Sequence, residues 1–148
     1  MRRMLKITVS ARINPTEDHR KVVKAIENVF NGEIILINED DEYKRAEGFS
    51  NKIESLGKLY NLIRIEQIVP AARALLYRRL RGNTIAFMLH KQAAYMGKIS
   101  FVDDDKESPL GAIRFIIESN DPKRIIDWLA PGKHTPSDRR NRPLPDEL

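Results

Sequence analysis

Cysteine is absent from this chain of 148 residues, which excludes disulfides, thiolate metal sites and cysteine nucleophiles. Long apolar runs are missing too. Nothing approaches the ~20 consecutive apolar residues of a membrane span, and in the opening MRRMLKITVSARI the residues Lys6, Ser10 and Arg12 interrupt any signal-like stretch. The expectation is a cytoplasmic, soluble protein. Histidine is scarce, and His19, His90 and His134 stand too far apart for metal-ligand spacing; each reads as a surface residue. Gly57-Lys58 and Gly97-Lys98 lack the Ser or Thr of a Walker loop. There is no G-x-G-x-x-G and no G-x-S-x-G. Asp103, Asp105 and Glu107 alternate, but an EF-hand reading would put Ser108 where Gly is required and Arg114 where Glu is required. That segment reads as a solvated turn. No catalytic residues, cofactor or metal are expected, and the chain reads as a non-enzyme.

What the chain has is a concentrated positive charge. From Arg64 to Lys98 it carries Arg64, Arg73, Arg78, Arg79, Arg81, Lys91 and Lys98 against one acid, Glu66. The whole chain has 26 basic and 21 acidic residues, so the rest of the sequence is slightly acidic. Such a local field attracts polyanions.

Hydrophobic periodicity predicts the elements around it. Leu5 to Ile13 alternates as a half-buried strand. Thr16 is the expected cap of a helix carrying Val22, Val23, Ile26, Val29 and Phe30, with Glu17 and Asp18 in its first turn. Glu33 to Asn38 reads as a short strand, the acidic run from Glu39 to Glu42 as a loop, and Phe49 to Tyr60 as a helix starting near Ser50. From Ile65 an apolar arc runs through Ile68, Val69, Ala72, Leu75, Leu76 and Leu80, with Pro70 either kinking or beginning a helix. Arg79 falls inside that arc and reads as fraying or snorkelling at its end. Strands follow at Thr84 to His90, Lys98 to Val102 and Ala112 to Ser119. Asn120 or Asp121 should cap a last helix with Pro122 at its first position. The sum is one α+β domain over 1–132, a mainly antiparallel sheet with helices on one face. A disordered tail is expected over 133–148.

Arg73, Tyr77 and Arg81 lie at i, i+4 and i+8, a row on the polar side of the third helix. With Arg78 they offer guanidinium forks for phosphate and an aromatic surface for an unpaired base. His90, Lys91, Gln92, Tyr95 and Lys98 add donors and a second aromatic at the following connection. The competing reading for Tyr95 and Ala93-Ala94 is close packing against a helix or a second subunit.

The run GNTIAFMLHKQAAYMGKISFVDDDKESPLGAIRFIIES from Gly82 to Ser119, with IDWLAP at Ile126 to Pro131 and the P-T-E-D turn at Pro15 to Asp18, resembles uncharacterised protein family 0201. The resemblance spans nearly all of the chain to Pro131. It implies a small archaeal protein of a family described as predicted RNA-binding and exosome-associated. It also implies the fold of the fifth protein of the large ribosomal subunit. The partners it suggests are RNA and exosome- or ribosome-associated proteins. Two readings follow: a non-catalytic RNA-binding protein using the basic helix face and adjoining connection, or a homodimeric assembly protein whose basic face meets an acidic protein partner and whose QAAY segment packs in the interface.

Overall fold

The computed structural model describes residues 4–40, 43–103 and 111–133. The alternation at the N-terminus gives β1 (Leu5–Ile13), with Ile7, Val9, Ala11 and Ile13 buried. Helix α1 (His19–Glu27) follows, but its cap is Asp18 rather than Thr16: the Asp18 carboxylate accepts from the backbone N–H of Arg20 at 2.9 Å. Glu17 is thereby left outside the helix. Its carboxylate turns back to the backbone N–H and side-chain amide of Asn14, at 2.9 and 2.7 Å.

Strand β2 (Glu33–Asn38) is where the pattern predicts it, and β3 (Lys44–Ser50) is a strand that the pattern hides. The inward positions of β3 are Ala46 and Gly48, so it shows no apolar alternation. At Gly48 the small residue leaves room for Phe30; a Cβ there would stand 2.7 Å from the Phe30 ring. Phe49, taken for the start of a helix, therefore lies on the opposite side of β3 and is 56% exposed.

A single 3₁₀ turn (Ile53–Leu56) leads into α2 (Gly57–Ile65), and α3 spans Val69–Arg78. The apolar arc is not one continuous helix. Gln67 takes a left-handed backbone (φ 58°), Pro70 sits in the first turn of α3, and Ile65 is turned out to solvent. Pro70 begins a helix, as its missing N–H allows. Then come β4 (Leu80–Arg81), β5 (Thr84–His90), the short α4 (Lys91–Tyr95) and β6 (Phe101–Val102). Strand β6 is shorter than the expected Lys98–Val102. The fold closes with β7 (Ala112–Ser119) and α5 (Pro122–Leu129), capped at Asp121. Asp105 and Glu107 of the acidic alternation, and the tail beyond Lys133, lie outside the described residues.

Among the described residues all strand pairings are antiparallel. The order is β2-β3-β1-β7-β5-β4, with β6 also pairing the outer side of β5. The sheet buries one face. Ile7, Val9 and Ala11 of β1, Ile113, Phe115 and Ile117 of β7, and Ile85, Phe87 and Leu89 of β5 join the inward residues of the helices in one cluster. Phe87 and Phe115 stack at 5.0 Å, and Phe30 meets Phe115 edge-on at 6.4 Å. This is the α+β architecture that the periodicity predicts, with β2 at one edge of the sheet and β4 and β6 at the other.

Candidate nucleic-acid interface

The seven basic residues between Arg64 and Lys98 divide by position. Arg64, on α2, donates from Nη1 to the Tyr60 and Leu129 carbonyls, both at 3.0 Å, and from Nη2 to the Trp128 carbonyl at 3.1 Å. Its guanidinium lies 3.4 Å over the Tyr60 ring, which in turn stacks on Trp128 at 4.7 Å. Arg73, on α3, reaches the same helix end: Nη1 donates to Asp127 Oδ1 at 2.8 Å and to the Ala130 carbonyl at 3.0 Å. Cations at the carbonyl end of a helix meet both unpaired acceptors and a negative dipole end. Arg64 and Arg73 thus tie α2 and α3 to α5.

Tyr77 belongs to that same arrangement. Its hydroxyl donates to Asp127 Oδ1 at 3.4 Å and its ring carries the Arg73 guanidinium at 4.9 Å. Burial, and then the Asp127 carboxylate, push its pKa above the ordinary 10.0. The row Arg73-Tyr77-Arg81 is therefore not one open surface, because two of its three members face α5.

Lys91 is also not on the surface with the arginines. It is 4% exposed, and its Nζ donates to the Arg12 carbonyl at 2.8 Å and to Glu17 Oε1 and Oε2 at 3.1 and 3.2 Å. Burial lowers its pKa from 10.5, while Glu17 partly opposes that shift. The side chain is drawn inward because α4 begins directly at the end of β5, placing position 91 against the turn before α1. With Gln92, Tyr95, Lys21 and Asp18 it lines a cleft of ≈ 540 Å³ between α1 and α4. Gln92 and Tyr95 are exposed at its mouth, and Lys21 Nζ stands 5.9 Å from the Tyr95 ring. The QAAY segment packs within its own chain: Ala94 is buried, and Asn28 donates to the Ala94 and Tyr95 carbonyls at 2.9 and 3.2 Å.

His90 points away from the helix-covered side of β5; its Nδ1 is buried without a partner among the described residues. Lys98 is exposed on the connection between α4 and β6.

The residues brought together with their charge outward are Arg78, Arg79 and Arg81, at the edge where β4 and β6 flank β5. Arg81 Nη1 folds back onto the Arg78 and Leu80 carbonyls, at 2.9 and 2.8 Å, and meets no carboxylate among the described residues. Arg79 donates to the Asp103 carbonyl at 2.8 Å and to its carboxylate at 3.2 Å. Arg78 reaches the same carboxylate at 3.3 Å while remaining 60% exposed. Among the described residues one acid, Asp103, thus meets two of these guanidinium groups, and the third, Arg81, meets none. Of its two readings, fraying or snorkelling, Arg79 follows the second: it takes the cap position of α3, and its guanidinium reaches out of the apolar arc to Asp103 at the end of β6.

A family model described as RNA binding matches residues 6–119. The chain belongs to that family. A UPF0201 protein of Saccharolobus solfataricus is 47% identical over 128 residues, covering 86% of this chain and 88% of the relative. A UPF0201 protein of Metallosphaera sedula is 39% identical over 144 residues, 97% of this chain and 100% of the relative. Among solved structures, the crystal structure of a UPF0201 protein from Methanococcus jannaschii superposes with a TM-score of 0.77 at 34% identity, covering 85% of this chain and 99% of that one. A DUF54 protein from Methanothermobacter thermautotrophicus shares the fold, with a TM-score of 0.57 at 19% identity over 84% of this chain and 94% of that one. The resemblance carried by the Gly82–Ser119 run is thus a family membership, and the relatives are archaeal.

Proposed function

We propose that the protein is a non-catalytic RNA-binding module whose phosphate contacts centre on Arg78 and Arg81, supported by Arg79 and extended by Lys98. The observation that carries this reading is membership, over residues 6–119, in a family described as RNA binding. The charge distribution adds to it. Of the basic residues in the Arg64–Lys98 stretch, Arg78, Arg81 and Lys98 keep exposed side chains, and guanidinium forks suit paired phosphate oxygens. Gln92 and Tyr95 at the mouth of the α1/α4 cleft could supply a stacking surface for an unpaired base.

The test is the salt dependence of binding to single-stranded RNA. Each neutralised phosphate contributes about −0.7 to the slope of log affinity against log salt, so Arg78→Gln with Arg81→Gln should flatten the slope by roughly 1.4. Replacing Lys123 and Arg124, exposed on α5, should leave it nearly unchanged. An unaltered slope in the arginine pair, or no RNA binding by the wild type at low salt, overturns the reading. An acidic protein partner for the same arginines then takes precedence.

A further inference from the structure

The opposite edge of the sheet has a different chemistry. Among the described residues strand β2 pairs only with β3, so one of its sides offers backbone N–H and C=O groups without a strand partner there. Edge strands of monomeric proteins are blunted by lysine, proline, bulges or covering loops. Here the strand reads Glu-Ile-Ile-Leu-Ile-Asn, with no lysine and no proline. Its register with β3 is continuous over all six residues, without a bulge. Ile35 and Leu36 are each 46% exposed and lie on opposite faces of the sheet. On the face away from the helices, Ile35 shares the edge with Ile37, and Phe49 stands one strand in, opposite Glu33.

We propose that this edge is a homodimer interface, with β2 pairing antiparallel to β2 of a second copy to form one continuous sheet. A two-fold interface must be self-complementary, and this strand is so in one register above others. Centring the axis on Ile35 sets Ile35 opposite its own copy, Leu36 opposite Ile34, and Ile37 opposite Glu33. Every apolar side chain then stays on the sheet face it already occupies. Shifting the centre to Leu36 would set Glu33 opposite Glu39, and like charges directly opposed across strands are destabilising. Shifting it to Ile34 would leave Leu36 facing Gly32. An RNA occupant is disfavoured, because the acids Glu33, Glu39 and Asp40 border the strand.

The proposal does not rest on RNA binding, but it has a consequence for it. Strands β2 and β4 are the two ends of the sheet order, so a dimer joined at β2 keeps both arginine clusters at its outer ends. At about 4.8 Å per strand they would stand roughly 50 Å apart, able to engage two sites on one RNA.

The cysteine-free background makes the test direct. Wild-type protein should sediment at twice the chain mass at micromolar concentration. Ile35→Lys should sediment at half the wild-type mass with an unchanged circular dichroism spectrum, since position 35 is outside the buried core. Ile35→Cys should cross-link to its copy under mild oxidation, because facing residues bring Cα atoms within the roughly 4.4–6.8 Å that a disulfide spans. Ile37→Cys should not cross-link, because its copies would lie roughly 14 Å apart. A monomeric wild type, a dimer indifferent to Ile35→Lys, or cross-linking through position 37 rather than 35 overturns the proposal.

Discussion

Arg73 and Arg81 are eight residues apart and fall in one row of the sequence pattern, yet they do different things. Arg73 is held between a carboxylate and a helix-terminal carbonyl of α5. Among the described residues Arg81, one element later, bonds only backbone carbonyls next to it and keeps its charge toward solvent. The same division runs through the whole basic stretch. Arg64, Arg73 and Lys91 hold elements of the fold together, whereas Arg78, Arg81 and Lys98 remain open to a ligand. A charge excess counted along a sequence mixes these two groups. Only the groups that α5 and the Glu17 carboxylate do not claim can serve a polyanion.

The sharpest break between the two groups is in stability. Lys91→Met should destabilise the protein by about 3–5 kcal/mol, because it leaves the buried Glu17 carboxylate without its cation. Arg81→Gln should stay within about 0.5 kcal/mol, as an exposed substitution does. Chemical denaturation of the two variants side by side decides this, and equal midpoints would break the comparison. Arg73→Gln should fall between them. It loses a partly exposed ion pair and a carbonyl contact, about 1–2 kcal/mol, which for a domain of this size lowers Tm by roughly 2–8 °C. Its salt slope for RNA should match the wild type. A flattened slope would show that Arg73 leaves Asp127 to bind phosphate.

The smallest effect is in pH dependence. Burial holds the folded pKa of Lys91 below 10.5. In the window just below pH 10.5 the unfolded chain therefore binds more protons than the folded one, and this group's contribution to stability rises as pH rises through the folded value. The stability gap between wild type and Lys91→Met should widen with pH across that window. A constant gap in denaturation midpoints would place Lys91 in a more solvated setting.

The elements that the sequence made legible are those whose inward side chains are large. The register of β1, β5 and β7 was visible because Ile7, Val9, Ile85, Phe87, Phe115 and Ile117 each repeat at period two. The limits of α5 were visible because Asp121 and Pro122 mark its start. Strand β3 was not, because its inward residues are Ala46 and Gly48, and Phe30 from the connection between α1 and β2 takes the volume above Gly48. The break between α2 and α3 is half legible: Pro70 allows either a kink or a helix start, and only the left-handed backbone at Gln67 decides for the start. Of the candidate contacts, Gln92, Tyr95 and Lys98 are exposed and Arg78 and Arg81 open outward, while Lys91 and Tyr77 have neighbours inside the fold.

Local order along the chain determined the fold class, the strand faces and the presence of a basic segment, since periodicity and charge depend on neighbours in sequence. Which cations remain available was decided only by the tertiary structure. Asp127 lies 54 residues from Arg73 and Glu17 lies 74 from Lys91, and an ion pair forms wherever packing brings two charges within about 4 Å, whatever their separation along the chain.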